Sequence, residues 1–186
     1  MKPRALALLH YPVTNRRGDL VASAVTNLDL HDLARNAITF GWERFYVVTP
    51  IAEQRRLVER IREHWCQGFG ADYNPHRKKA LDLIAILPDL AGAIADWEKH
   101  TGEPVLPVLT GAAVRGGVSC RQCREMNRRQ PLLVLFGTGW GLAPVLFQQG
   151  WPALEPIRGE GDYNHLPVRS AAAIIMDRLC ESARCP

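Results

Sequence analysis

Long apolar runs are missing from this 186-residue sequence, and no stretch reaches the length of a bilayer-crossing helix. Residues 1–13 have a basic tip, but their apolar stretch is short and already patterned as a strand. Cysteine is sparse and irregular. The five residues Cys66, Cys120, Cys123, Cys180 and Cys185 are an odd number without framework spacing, which excludes a secreted disulfide scaffold and points to a reducing cytoplasm. Repeats, low-complexity tracts and an obvious linker are also lacking, so one domain spanning residues 1–186 is expected. Lysine occurs only as Lys2, Lys78, Lys79 and Lys99, leaving arginine to carry most of the positive charge.

What is present is the composition of an ordinary globular chain. A hydrophobic fraction of 47% with 23% charged residues is enough for a full core and argues against disorder. The net charge of +4 is compatible with a polyanionic partner without requiring one. Arginine forks suit phosphates and stack on bases; codon bias in a GC-rich genome produces the same excess.

Apolar runs alternate with helical patterns, which predicts an α/β fold with a mainly parallel sheet flanked by helices. Strands are expected at residues 5–9, 45–49, 105–109 and 132–136. The last is fully apolar, as the centre of a parallel sheet should be. A loop marked by Pro12, Asn15 and Gly18 is followed by a short extended piece at 21–25. Helices are expected at 29–40, 52–65, 88–99, 119–129 and 168–179, with a further segment leading from Asn74-Pro75 into 80–86. Asn27 or Asp29 can cap the first helix and Gly41 can end it.

Three segments carry chemistry. In residues 132–147 (LLVLFGTGWGLAPVLF), a buried strand runs into Gly137-Thr138-Gly139-Trp140-Gly141. Glycines at a strand's C-terminal edge let a ligand reach free backbone N–H groups. The third glycine comes one place too early for a dinucleotide fingerprint, and no Gly-Lys-Ser/Thr phosphate loop exists. In residues 159–179 (GEGDYNHLPVRSAAAIIMDRL), a tight turn leads into a helix whose alanines permit close packing. In residues 26–41 (TNLDLHDLARNAITFG), Arg35 lies off the apolar stripe. Each segment alone is also compatible with a structural turn, a capped helix or a solvated arginine.

Together these segments resemble the SPOUT class of knotted methyltransferases, in its bacterial branch of RNA methyltransferases. Residues 27–35 are similar to the first family motif, an asparagine followed by a helix with an arginine. Residues 132–142 resemble the second. Residues 154–173, with Pro156-Ile157-Arg158-Gly159 and Tyr163-Asn164-His165-Leu166, resemble the third. The resemblance covers almost the whole chain.

It implies a deep trefoil knot within residues 105–180 and S-adenosylmethionine as cofactor. The cofactor would be held bent by three loops, mostly through backbone groups. Those implied to bind it are Leu109, Thr110 and Gly111; Phe136, Gly137, Thr138, Gly139, Gly141 and Leu142; and Ile157, Gly159, Tyr163, Asn164, His165, Leu166, Arg169 and Ser170. It further implies a homodimer with the active site between subunits, for which the alanine face of the last helix is the candidate surface. Arg35 is implied to contact RNA or orient the acceptor, with Asn27 shaping the same pocket.

Methyl transfer from a sulfonium needs in-line approach and no metal, so positioning supplies much of the rate. The candidates for a general base are Asp32, Asp162 and His165. No clear counterpart exists of the aspartate used by the guanine-N1 branch, which leaves the acceptor atom open. Arg16, Arg17, Arg55, Arg56, Arg77, Lys78, Arg115, Arg121 and Arg124 are candidates for tracking the phosphates of a tRNA or rRNA, or form a solvated polar face. Three other readings stand beside this one: a redox or metal pair at Cys120-x-x-Cys123, a non-catalytic cofactor- or RNA-binding scaffold, and a dehydrogenase.

Overall fold

The structure is a computed structural model and describes residues 1–161 and 163–180. Five strands, β1 (Arg4–Leu9), β4 (Arg44–Val48), β5 (Ile84–Leu87), β6 (Leu106–Leu109) and β7 (Leu132–Gly137), form one sheet in the order β5-β4-β1-β7-β6. Every pairing in it is parallel. A small antiparallel hairpin, β2 (Val13–Thr14) with β3 (Leu20–Val21), stands apart from the sheet. The helices are α1 (Asn27–Thr39), α2 (Ala52–Cys66), α3 (Phe69–Tyr73), α4 (Pro75–Leu81), α5 (Leu90–Thr101), α6 (Cys120–Arg129), α7 (Pro144–Phe147) and α8 (Val168–Leu179).

Both faces of the sheet are covered, as a parallel sheet requires. Because side chains alternate along a strand, Leu6, Leu8, Phe45, Val47, Val134 and Phe136 point to one face. There they meet Leu30, Leu33 and Ala37 of α1 and Ala172, Ile175 and Met176 of α8. Ala5, Ala7, Tyr46, Val48, Leu133 and Leu135 point to the other face and pack against Ala93 and Trp97 of α5 and Leu146 of α7. The buried Trp97 indole donates to the Leu132 carbonyl at 3.0 Å, so its polar atom is satisfied inside the core.

Local structure differs from the sequence-based expectation in several places. Thr26, not Asn27 or Asp29, caps α1: its hydroxyl accepts from the Asp29 amide and donates to the Asp29 carboxylate. The expected helix at 88–99 begins at Leu90, because Asp89 caps it through the Gly92 amide, and Gly102 ends it in the left-handed region. The segment at 80–86 divides into the end of α4 and the strand β5.

Beyond β7, the chain makes an unusual connection. Leu109, at the end of β6, donates to the Pro152 carbonyl and accepts from the Leu154 amide, at 2.9 and 2.8 Å. On the opposite side, Val118 donates to the Ala153 carbonyl at 2.8 Å and accepts from the Glu155 amide at 2.9 Å. Residues 152–155 therefore lie between the two stems of the loop that joins β6 to α6. The Val118 stem approaches so closely that a Cβ on Gly117 would sit 2.6 Å from the Ala153 carbonyl oxygen.

Candidate functional site

The order β5-β4-β1-β7-β6 runs outward from its centre in two directions. The chain goes from β1 to β4 and β5 on one side and builds β6 and β7 on the other. The reversal falls between β1 and β7, and the crevice beyond the carboxyl ends of strands at such a point is where open α/β sheets bind ligands. Leu9 pairs with Gly137 and Leu109 with Leu135, so the loops following β1, β6 and β7 leave from one edge.

The Gly137–Leu142 loop is shaped by its glycines. A Cβ on Gly137 would meet the Leu142 amide nitrogen at 2.6 Å, and Gly139 and Gly141 adopt φ of +58° and +105°. Hydrogen bonds between Trp140 and Thr14 and between Thr14 and Gly141 tie the loop to the β2 hairpin, at 3.0 and 3.1 Å. Phe136 and Leu142 are buried, while the Trp140 ring between them in sequence is 62% exposed. Thr110, at the end of β6, is buried and its hydroxyl donates to the Leu135 carbonyl at 2.8 Å.

The first and third candidate loops share a cleft of about 260 Å³, walled by Ala112, Ala113 and Val114 on one side and Pro156 and Asn164 on the other, with Arg115 and Arg158 at hand. Of the residues implied to hold the cofactor, Asn164 lines this cleft and the glycine loop after β7 does not. The cleft's two guanidiniums suit a carboxylate or phosphate, which fits the amino-acid end of a sulfonium nucleoside. A larger concavity of about 400 Å³ lies against α2. It is lined by the charged side chains Glu53, Arg56, Glu59, Arg60 and Glu63 of that one helix.

The remaining candidates fall as follows. Ile157 packs against the core on the α1 side, whereas Tyr163, His165, Leu166 and Ser170 are exposed. Gly159 has open space around it except for the Tyr163 carbonyl, 3.9 Å from where a Cβ would be. Arg169 reaches across to α1, with nitrogens 3.7 Å from Asp29 and 3.5 Å from Asp32. Asp32 thereby acts as a partner that holds α8 to α1. Asn27 and Arg35 are exposed on α1, and neither side chain makes a hydrogen bond or ion pair among the described residues. Asp162 lies outside the described residues. The alanines of α8 divide: Ala172 is fully buried in the chain's own core, and Ala171 and Ala173 are half-buried. Burial raises both Cys120 and Cys123, the latter to about 12, so the pair lacks the thiolate character that redox chemistry needs.

One polar cluster gave no sign in the sequence. His10, immediately after β1, is fully buried, and its Nδ1 lies 2.9 Å from the Ser23 hydroxyl. Ser23 in turn hydrogen-bonds the Thr138 hydroxyl in the glycine loop. Burial pushes His10 down to about 4, against the opposing pull of Asp29, so the ring is neutral at physiological pH. Three residues from distant stretches meet here, and only the fold brings them together.

Solved structures that share this fold include methyltransferases. The chain aligns over 96% of its length with a probable methyltransferase from Bordetella pertussis, at 15% identity and a TM-score of 0.61, covering 92% of that chain. It also aligns over 96% of its length with the SpoU methyltransferase AviRb from Streptomyces viridochromogenes in complex with the cofactor AdoMet, at 17% identity and a TM-score of 0.54, covering 56% of that chain. At these identities the likeness defines the fold, that of the SpoU methyltransferases. Residues 4–181 match the family model for SAM-dependent RNA methyltransferase, and the chain belongs to that family. Among relatives, a tRNA (guanine-N(1)-)-methyltransferase of Oleidesulfovibrio alaskensis is 44% identical over 95% of this chain. The chain spans only 42% of that relative's length, whereas an uncharacterized protein of Aquifex aeolicus, 38% identical, is covered over 89% of its length. The described helices include none long and apolar enough to cross a membrane.

Proposed function

We propose that this chain transfers a methyl group from S-adenosylmethionine to RNA, with tRNA as the first substrate class to test. The observation that carries the reading is the segment 152–155, hydrogen-bonded on one side by Leu109 at the end of β6 and on the other by Val118 before α6, with the cleft between residues 112–115 and Pro156, Arg158 and Asn164. A backbone held between both stems of one loop is what a C-terminal trefoil knot requires, and a knot would fix the loops without help from distant side chains. The guanine-N1 chemistry in the relatives' name is not carried over, because more than half of their length lies outside this match.

S-adenosylmethionine supplies an electrophilic methyl group on a sulfonium. Leu109, Thr110 and Gly111, the Phe136–Leu142 stretch, and Ile157, Gly159 and Tyr163–Ser170 are the proposed holders. The main-chain groups of the glycine positions orient the cofactor, and Arg115 or Arg158 answers its carboxylate. Arg169 would contribute through the packing of α8, given its ion pairs with Asp29 and Asp32. Arg35 orients the acceptor, with Asn27 two turns earlier on the same helix. No base is assigned. Asp32 is ion-paired, and His165 is exposed in edge contact with Tyr163. A ring-nitrogen acceptor can dispense with a base more readily than a 2′-hydroxyl can.

A second copy of the chain would complete the site. Leu28 and Trp140, each 62% exposed, and Tyr163, 80% exposed, are large apolar groups left uncovered beside Arg35's helix and the candidate loops. The four described cysteines are free thiols, which suits the reducing cytoplasm where tRNA is modified.

Incubation with methyl-labelled donor and a pool of tRNA and rRNA tests the reading. Label should pass to RNA, and Arg35→Ala should lower the rate by about 10²–10³-fold while leaving cofactor affinity within twofold. Tight cofactor binding without transfer to any RNA would instead establish a non-catalytic binding protein.

A further inference from the structure

Trp42, Trp97, Tyr46, Phe45 and Phe136 are essentially fully buried, whereas Tyr11, Phe69, Tyr73, Trp140, Phe147 and Tyr163 are exposed. Two of the exposed rings share the short helix α3. Phe69 and Tyr73 are each 75% exposed, and their rings stack on each other with centroids 5.8 Å apart and planes 20° apart. They are one helical turn apart on the outer side of α3, whose inner side, Gly70 and Ala71, is buried. That inner side is pressed against α2 so closely that a Cβ on Gly70 would fall 2.6 Å from the Trp65 ring.

Immediately following is α4, the most lysine-rich stretch of a lysine-poor chain. His76, Arg77, Lys78 and Lys79 are consecutive, and among the described residues neither lysine has an ion-pair partner. The Arg77 guanidinium lies over the Trp65 ring, 4.5 Å from its centroid, and the other flank of Trp65 meets His31 of α1 edge-on at 5.5 Å. The exposed acids nearby are Glu63, Asp72 and Asp82, the last at the end of α4 one turn after Lys78. α4 packs against α1, the helix that carries Arg35, so this surface continues into the proposed acceptor site.

We propose that α3 and α4 form a docking surface for unpaired RNA, in which bases stack on the Phe69–Tyr73 pair while Lys78 and Lys79 meet phosphates. The inference rests on the reading of the chain as an RNA methyltransferase and adds the place where substrate is held. Exposed aromatic faces interleaved with cations are what single-stranded nucleic acid requires: every base offers a π-face and every linkage a charge. A duplex hides its base faces and gains nothing from the aromatic pair. The surface therefore selects a loop or single-stranded end and holds it beside α1.

The test uses the full chain and a fluorescein-labelled single-stranded oligoribonucleotide of mixed sequence. Affinity and its salt dependence are read for wild type, for Phe69→Ala with Tyr73→Ala, and for Lys78→Gln with Lys79→Gln. The aromatic variant should weaken binding by about tenfold or more, and an equal length of RNA duplex should lose less than twofold. The lysine variant should flatten the slope of log affinity against log salt by about 1.4, two phosphate contacts' worth on a single strand. Calorimetric affinity for S-adenosylmethionine should be unchanged in both variants, which also shows that they are folded. If wild type binds the oligonucleotide and both variants bind it equally well, the docking surface is wrong while the enzymatic reading stands. If wild type neither binds nor methylates any RNA, both fail. If sedimentation shows that the aromatic variant converts a dimer to a monomer, the face belongs to a second copy of the chain and the RNA assignment is overturned.

Discussion

His10 sits neutral in the interior beside Ser23, because protonating it there would place a charge where water cannot reach. Above its ordinary value of 6.5, folded and unfolded chains both hold it uncharged. As pH falls through 6.5 the unfolded chain takes up a proton that the folded one resists until about 4. Stability should therefore drop across that interval, by on the order of 3 kcal/mol at its acid end. Urea denaturation at pH 7 and pH 5 should show the loss in wild type and a much shallower one in His10→Asn; equal slopes would contradict the assignment. Gly117 carries a different constraint. Its substitution by alanine drives a Cβ into the backbone of residues 153–155, which has no flexible end to yield. Gly117→Ala should lower stability by about 1–3 kcal/mol or more, read as a lower denaturation midpoint. Gly161→Ala, with nothing near its Cβ, should change little. Neither His10 nor Gly117 stood out in the sequence, since each role depends on residues well outside its own element.

At the scale of elements, the alternation of strand residues and the stripes of α1 and α8 were legible because their causes are local. Period and burial coincide in residues 132–136, and α1, α5 and α6 have side-chain caps at their starts. Two elements were not legible. α3 has a glycine in five residues and presents aromatics to solvent, so it carries no amphipathic stripe to read. The pairing of residues 152–155 with Leu109 and Val118 is non-local and occupies only single bridges. Leu154 nevertheless anchors that segment, being 1% exposed. Leu154→Ala should cost about 2–5 kcal/mol, and hydrogen exchange should rise first at the amides of Leu109, Val118 and Glu155. Fast exchange confined to α5, with those amides still protected, would show that the segment is not held between the two stems. The contact between α1 and α8 is weaker in kind. Arg169 is partly exposed and its pairs exceed 3.4 Å, so Arg169→Gln should change stability by about 1 kcal/mol or less.

For the whole molecule, three sequence segments, the first about a hundred residues before the other two, were legible as parts of a family pattern. The sequence did not show that Arg169 would be engaged by Asp29 and Asp32, because that depends on how α8 packs on α1. The exposure of Arg35, by contrast, was legible, because it lies off the apolar stripe of α1. The central claim is that backbone groups of the loops after β6 and β7 and of residues 157–166 close around S-adenosylmethionine. Amide hydrogen exchange with and without saturating cofactor tests it most directly. New protection should concentrate at residues 109–115, 137–142 and 157–166 and leave the carboxyl ends of β4 and β5 unchanged. Protection centred instead on β4 and β5, with those three loops exchanging as freely as before, would contradict the account.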